Sequence, residues 1–420
     1  MSTSRVFFGW WVALSFSAMV FLSTGIRFTV GPFLKPMVAD LGLDRASFSL
    51  VVSVGLFLYG AVMPAVGRLA DQLGARPVVV AGAIVLAGSV AANALVQHYW
   101  QLWIVYGLGM ALGLAMTGHV VASAVITRWF TRRRATALSL LGAASMAGMS
   151  LLVPISMWLI MRIGWRLTYV VLAAAALVVI LPLALWVMRD APESMGLAPD
   201  GAPVATTRAP AGDERMTAAA AMQTRPFWHI ALALSTCGFS MSLLSAHGVP
   251  MLTDHGYHPM VASWAFALLG GTNVVFALIL GTVADRIGAR PVLVGIYGGR
   301  AIAVALLFVI RDQPLAIMLV AALGGATMAG TFAMTSALTA DIFGRFSVGS
   351  VFGAMFLVHQ AGAALGSWLG GVSFEGTGGY GLAFAVASMT LLSASVLSLT
   401  TDVRPRCVPA ASLSAVAGGR

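Results

Sequence analysis

The stretch GRLADQLGARP, from Gly67 to Pro77, joins two apolar runs and returns as GTVADRIGARP, from Gly281 to Pro291. Seven positions agree: a glycine, an alanine, an aspartate, then Gly-Ala-Arg-Pro. The offset, 281 − 67 = 214 residues, is close to half of the 420-residue chain. Self-similarity at that period identifies two related halves, each carrying the loop at the same place. Both copies lie between hydrophobic spans, so the chain reads as a membrane protein built by duplication.

Composition agrees. Hydrophobic residues make up 59% of the chain and charged residues 9%. A soluble globular protein carries roughly 25% charged residues, so this chain suits an outer surface facing lipid. The net charge is +10, but the basic residues are scattered over short loops. With no basic stripe and no module motif, a nucleic-acid partner is not expected. Cys237 lies in an apolar run and Cys407 in the tail, which excludes a disulfide framework. The only lysine is Lys35, within FLKP, so a phosphate-cradling GxxxxGK[ST] loop is impossible. No ATPase activity and no cofactor are expected. Arg5 precedes an apolar run without a small-residue cleavage site, which reads as a retained first span.

A spanning helix needs about 20 mostly apolar residues. That length places spans at 8–34, 47–67, 77–96, 99–126, 135–160 and 167–188, then 226–253, 260–281, 291–310, 315–340, 350–372 and 380–400. The expected fold is an all-α membrane protein with twelve transmembrane helices in two pseudo-symmetric six-helix bundles, 1–188 and 226–400. A linker, 189–225, and a tail, 401–420, complete the chain. The linker is rich in Pro, Gly, Ala and Thr and reads as mobile. MTAAAAMQTR at its end suits a short interfacial helix. One set of loops holds most of the arginines, including Arg68, Arg76, Arg286 and Arg290, and the other only Lys35, Arg45, Arg162, Arg166 and Arg311. The arginine-rich set is therefore cytoplasmic, with both termini inside a cell (inner) membrane. Small residues four apart, Gly109 and Gly113, then Gly362, Gly366 and Gly370, predict close helix packing.

Twelve spans with G-x-x-x-D-x-x-G-x-R in both loops resemble the major facilitator superfamily. Further stretches resemble its bacterial branch related to monocarboxylate transporters: FFGWW (7–11), GIRFTVGPFLKPM (25–37), RWFTRRRATA (128–137), PESMGLAPDG (192–201), FGR (343–345) and VHQAGAALGSWLGG (358–371). The resemblance implies two bundles that rock about a cavity near the bilayer midplane, lined mainly by the first, fourth, seventh and tenth spans. It also implies that His359, in its HQ setting, faces substrate, and that a basic residue near Arg27 belongs to the site. One departure stands out. Monocarboxylate transporters place an anion-binding arginine four residues before the second loop's opening glycine, and here that position is Ala277.

Ionisable residues inside spans are functional candidates by default, because burying them in hydrocarbon is costly. Every acidic residue falls in a loop, the tail or a span end, while Arg27 and Arg300 lie within spans. That sign favours an anion. Arg27, in the outer half of the first span, offers a planar fork suited to a carboxylate, in a substrate or gating role. The alternative is a side chain snorkelling to the interface. Arg300, on a helix that the resemblance makes peripheral, reads as a brace. His359 is the leading proton-sensitive group, since its ordinary pKa of about 6.5 allows protonation near neutral pH. Asn273, His119 and Thr331 are further polar candidates for substrate or proton binding, with Thr335 and His247 beside them; each could equally be interhelical glue. Asp254, His255 and His258 form a loop cluster with metal-ligand character, although no metal is expected. In the repeated loops, Gly67, Asp71, Arg76, Gly281, Asp285 and Arg290 are assigned to gating. The aspartates would accept from helix N-termini, and the arginines would pair with acids or helix C-termini across the bundle interface.

These features predict a secondary transporter of a small organic anion, most simply a carboxylate, with or without a proton. Its partners are that anion, protons and the lipid bilayer; no sequence feature sets an oligomeric state. The alternatives are an exporter of neutral or amphiphilic compounds, favoured by Ala277 and adaptable apolar walls, and a transporter-fold sensor. An enzyme is not expected, because no nucleophile–base or metal set lies in the spans.

Overall fold

A computed structural model describes residues 7–130, 133–199, 216–310, 313–344 and 348–404. The central part of the linker and the tail from residue 405 lie outside these, as do the side chains of Asp71 and Asp285. The described chain is helical, with no strand among the described residues.

In the first half, α1 (Phe8–Phe28) and α2 (Val30–Leu41) together form the first span. α3 (Arg45–Leu73) and α4 (Ala75–Asn93) follow. The fourth span runs through α5 (Tyr99–Leu102), a π-helical stretch (Trp103–Met110), α6 (Ala111–Thr117) and α7 (His119–Trp129). α8 (Arg134–Pro182) is two spans in one, folded at Gly164 with φ 78° and ψ 166°. The linker contributes α9 (Ala218–Met222), the short helix expected there. The second half holds α10 (Arg225–Asp254), α11 (Pro259–Ile287), α12 (Ala289–Val309), α13 (Pro314–Met328), α14 (Thr331–Phe343), α15 (Val348–Thr377) and α16 (Gly381–Thr400). Among the described residues, ten stretches are long and apolar enough to cross a membrane. One of them, the 52-residue Thr136–Val187, counts twice, and the 30-residue α15 completes twelve.

Each half has its own apolar core. The outward faces are apolar too: Ile84, Val178, Ile302 and Leu319 are all more than half exposed. Such a continuous apolar exterior needs lipid as its solvent. α1 packs on α8 and α10 on α15, while α3–α15, α8–α11 and α2–α10 join the halves. The α10–α15 contact depends on the small-residue stripe. A Cβ added at Gly362 would strike the Ser235 carbonyl, and one at Gly366 the Phe239 carbonyl.

The repeated loops keep their symmetry in three dimensions. Gly74 and Gly288 turn the chain at φ 90° and 87°, a backbone only glycine adopts easily. The Arg76 guanidinium donates to the Leu185 carbonyl, and Arg290 to the Leu399 carbonyl. Both pairs share the repeat offset: 290 − 76 = 214 and 399 − 185 = 214. The arginines thus bind helix C-termini, as their charge favours, but within their own bundle. The expectation of contacts across the interface is corrected, because each arginine opens a helix adjacent to its half's last span. The acceptor at the α4 N-terminus is Asp190, whose carboxylate takes the Arg76 N–H at 3.0 Å. A Cβ added at Gly67 would make only an ordinary 3.7 Å contact with Val120, and one at Gly281 would meet open space.

The hydrogen bonds and ion pairs described between the halves lie from mid-span to the end bearing Lys35 and Arg45. There Asp254 pairs with Lys35 at 2.7 Å and with Arg45 at 2.5 Å. Arg45 also donates to the Tyr380 hydroxyl at 2.5 Å, gives its backbone N–H to Glu375 at 2.9 Å and covers the Phe374 ring at 3.6 Å. Burial pushes the Tyr380 phenol up to about 12, so it remains protonated as it accepts. Ser49 lies 3.2 Å from His247 Nε2, which donates to the Ser367 carbonyl at 2.8 Å. These contacts also account for the loop cluster. Asp254 is committed to Lys35 and Arg45, His258 caps the Met260 N–H, and no metal-ligand group occurs among the described residues.

Two outcomes follow. Gly366→Val should destabilise the protein by about 1–3 kcal/mol through overpacking, read as a lower Tm in detergent, whereas Gly353→Ala, in open space on the same helix, should not. Asp254→Asn should loosen the closed end. With Cys237 and Cys407 replaced by serine and Ser245 by cysteine, maleimide labelling should rise about fivefold, equivalent to roughly 1 kcal/mol; unchanged labelling would remove the ion pairs from the closure.

Candidate functional site

Pro32 has no N–H to offer the Phe28 carbonyl, and its ring crowds that carbonyl, so the first span breaks at Thr29. The helix then resumes through Lys35 to Leu41, because Asp254 neutralises the lysine. This moves Arg27. Placed by sequence in the outer half of a span ending at residue 34, it lies 27 − 8 = 19 residues from one end and 41 − 27 = 14 from the other. Snorkelling is no longer needed to explain it.

Arg27 borders a narrow cavity walled chiefly by the first half, with Tyr59, Tyr106, Leu56 and Met110 among its walls and Ser245 contributed by the second half. The guanidinium stands 4.9 Å from the Tyr59 ring centroid and 5.6 Å from that of Phe28. These aromatic faces attract a cation but do not neutralise it. No carboxylate pairs with Arg27 among the described residues.

Two helix breaks flank the centre, and hydropathy did not reveal them. The fourth span opens at Gly118 (φ −92°, ψ −166°), so that His119 begins α7. The tenth opens at Ala329 and Gly330 (φ 74°), so that Thr331 begins α14. The signal was present as Met116-Thr117-Gly118-His119 and Met328-Ala329-Gly330-Thr331, at corresponding places in the halves. Discontinuous helices at matching positions mark transporter sites, since their free N–H groups and positive dipole ends favour anions. A Cβ at Gly118 would lie 3.5 Å from the Tyr59 hydroxyl, so the first break adjoins the Arg27 cavity. His119 lies within electrostatic range of Arg27.

On the opposite side, His359 is buried in α15. Its ring stacks on Phe356 at 5.3 Å and meets Phe332, just past the Gly330 break, at 5.2 Å. Nδ1 lies 2.9 Å from Gln360 Oε1, and Gln360 reaches across to the Leu56 carbonyl at 3.1 Å. Nε2 is buried without a partner. The side-chain oxygen can only accept from Nδ1, which leaves Nε2 as the basic nitrogen in that tautomer. His359 feels the charges of both Arg27 and Arg300.

The remaining candidates fall elsewhere. Thr331 accepts from Arg300 at 2.8 Å and donates to the Met328 carbonyl at 3.1 Å, which commits its hydroxyl to the helix break. Asn273 is buried but borders neither the Arg27 cavity nor the one beside Arg300. Arg300 braces, as expected: it also donates to the Thr327 carbonyl at 3.0 Å.

Comparison with known proteins agrees with this architecture. The chain is 28% identical over 386 residues to the MFS-type transporter YcxA of Bacillus subtilis, covering 87% of this chain and 88% of that one. It is 24% identical to monocarboxylate transporter 13 of Bos taurus (93% and 89% covered) and 22% identical to the oxalate:formate antiporter of Oxalobacter formigenes (94% and 92%). The fold matches a bacterial homologue of the human lysosomal transporter Spinster with a TM-score of 0.68 at 16% identity, over 96% of both chains. Residues 16–257 and 229–414 match the family model of the Major Facilitator Superfamily. The chain is therefore a multi-pass membrane transporter, not an enzyme, and belongs to that superfamily.

Proposed function

We propose that this transporter carries a small organic anion of the carboxylate class together with a proton. The observation that carries the proposal is Arg27, a guanidinium beside the central cavity with no carboxylate partner among the described residues. A fixed cation in a low-dielectric site is stabilised by an arriving anion far more than the same pair would be in water. The α7 N-terminus next to that cavity has the same sign preference. Relatives named as monocarboxylate transporters and an oxalate:formate antiporter lend support. His359, with its unpartnered Nε2, is the proton-accepting group in this scheme, and its ring faces the second break through Phe332.

Transport then runs by alternating access. Bundles 1–188 and 226–400 rock about the site, and the Asp254 ion pairs release as the Lys35/Arg45 end opens. The excess of arginine on the signature-loop side puts that side, and both termini, in the cytoplasm. His119, which opens α7 at the first break, completes the substrate-facing polar set.

Uptake of a carboxylate panel into proteoliposomes tests this. Arg27→Ala should reduce uptake by at least about tenfold, as expected for losing one charge-assisted hydrogen-bond pair, and Arg27→Lys should recover part of it. His359→Asn should keep carboxylate binding and lose acceleration by an inward proton gradient. Wild-type-like transport by both Arg27→Ala and His359→Ala would refute the assignment. A second reading, an exporter of amphiphilic compounds, draws on the apolar cavity walls (Leu56, Met110, Leu114) and on Ala277. Resistance of cells to hydrophobic compounds without carboxylate uptake would favour it.

A further inference from the structure

Gln360 is the side chain through which His359 is connected to the other half. It is fully buried on α15. Its Oε1 lies 2.9 Å from His359 Nδ1, and its Nε2 donates to the Leu56 carbonyl on α3 at 3.1 Å. Gly60, one turn further along α3, leaves room for this reach: a Cβ there would lie 2.6 Å from Gln360 Cγ. Leu56 itself walls the Arg27 cavity. One amide therefore links the histidine of the second bundle to the cavity wall of the first.

The amide has one workable orientation here. A carbonyl only accepts, so the Leu56 oxygen requires the NH2 end of Gln360. Turning the amide over would press two acceptor oxygens together in a buried interface, where an unmet polar group is costly. With Oε1 thus aimed at His359, the ring proton belongs on Nδ1. The other tautomer would face that oxygen with a bare nitrogen and leave a buried Nε2–H without an acceptor. Arg27 and Arg300, the charges that His359 feels, are donors only and offer the ring no alternative. We propose that Gln360 is a positioning residue for proton uptake: through it, the backbone of the first bundle selects Nε2 of His359 as the nitrogen that takes the proton. The inference rests on His359 as the proton-accepting group and adds a dependence on conformation. When α3 and α15 part, the amide is released from Leu56 and can turn its NH2 end to Nδ1, which moves the ring proton to Nε2. Nε2 is then open to a proton only while the bundles touch at this point.

The test is NMR of the full-length protein in detergent, carrying histidine labelled at the ring nitrogens, at a pH where the His359 ring is neutral. Nδ1–H and Nε2–H tautomers give distinct ring-nitrogen signals, and those of His359 are the ones missing from the His359→Asn protein. The wild-type ring should carry its proton on Nδ1. Gln360→Met, of similar length, removes the acceptor, and the ratio of Nδ1–H to Nε2–H should fall at least about tenfold. Gly60→Ala acts from the other bundle: its Cβ displaces Gln360 from the Leu56 carbonyl while His359 and Gln360 stay chemically intact. The ratio should fall there too, and this variant decides the matter if Gln360→Met does not fold. A wild-type ring protonated at Nε2, or an unchanged ratio in either variant, would overturn the proposal. The tautomer is read with neither substrate nor gradient, so these outcomes are distinct from uptake by His359→Asn, which tests whether His359 takes the proton at all.

Discussion

A guanidinium held inside a membrane without a carboxylate is the constraint on which the rest of this structure depends. Moving such a charge into hydrocarbon is expensive unless something local compensates. The two arginines within the spans are accommodated differently. Arg27 stands at the edge of a cavity and against two aromatic faces. Arg300 reaches the carbonyl that ends α13, where the negative end of the helix dipole favours a cation. The α7 N-terminus has the opposite sense: it adds positive potential on the side of Arg27. The central region therefore accumulates positive charge that the described protein side chains leave unbalanced, which is the electrostatic preparation an anion site requires.

Closure of the Lys35/Arg45 end is polar but modest in strength. Asp254 and Lys35 are 24% and 40% exposed at their side chains, so solvent screens their attraction. Deeper contacts between the halves are close approaches of small residues: a Cβ on Gly31 would lie 2.6 Å from the Ser245 carbonyl, and one on Gly371 2.8 Å from Ala46. A transporter must pass between two states that differ by only a few kcal/mol. An interface made of a screened ion-pair network and smooth glycine faces meets that need, whereas interlocked large side chains would resist separation.

The sequence disclosed the architecture because lipid imposes a period and a length that no other solvent does. The doubled loop and the apolar runs lead directly to twelve spans, and glycines four apart mark the close-packing face of α15, whose partner, α10, only the structure names. Depth and continuity were less legible. A window of apolar residues averages over one glycine, so MTGH and MAGT passed as uninterrupted helix. In sequence Lys35 ends the first span, since its neutralisation by Asp254 links residues 219 positions apart (254 − 35) and is invisible to any local rule. The same distance hid the fate of the Asp254 cluster. Thr331 reads in sequence as a free polar group because its partner, Arg300, is on another helix.

What the two halves share, and where they differ, separates scaffold from chemistry. The hairpin glycines Gly74 and Gly288 and the arginine-to-carbonyl contacts Arg76–Leu185 and Arg290–Leu399 all recur at an offset of 214. Each ties the start of one span to the end of another inside a bundle, so their mechanical task is the same twice. The central charges have no such twins: counted by that offset, Arg27 corresponds to Met241, His359 to Ser145 and Arg300 to Leu86. Two copies of a rigid hairpin stabilise two bundles, but two copies of a buried cation facing one cavity would repel each other across it. Divergence at the centre follows from electrostatics, and it leaves Arg27 on one bundle and His359 on the other, so that a bound anion and its proton would be held by both moving parts.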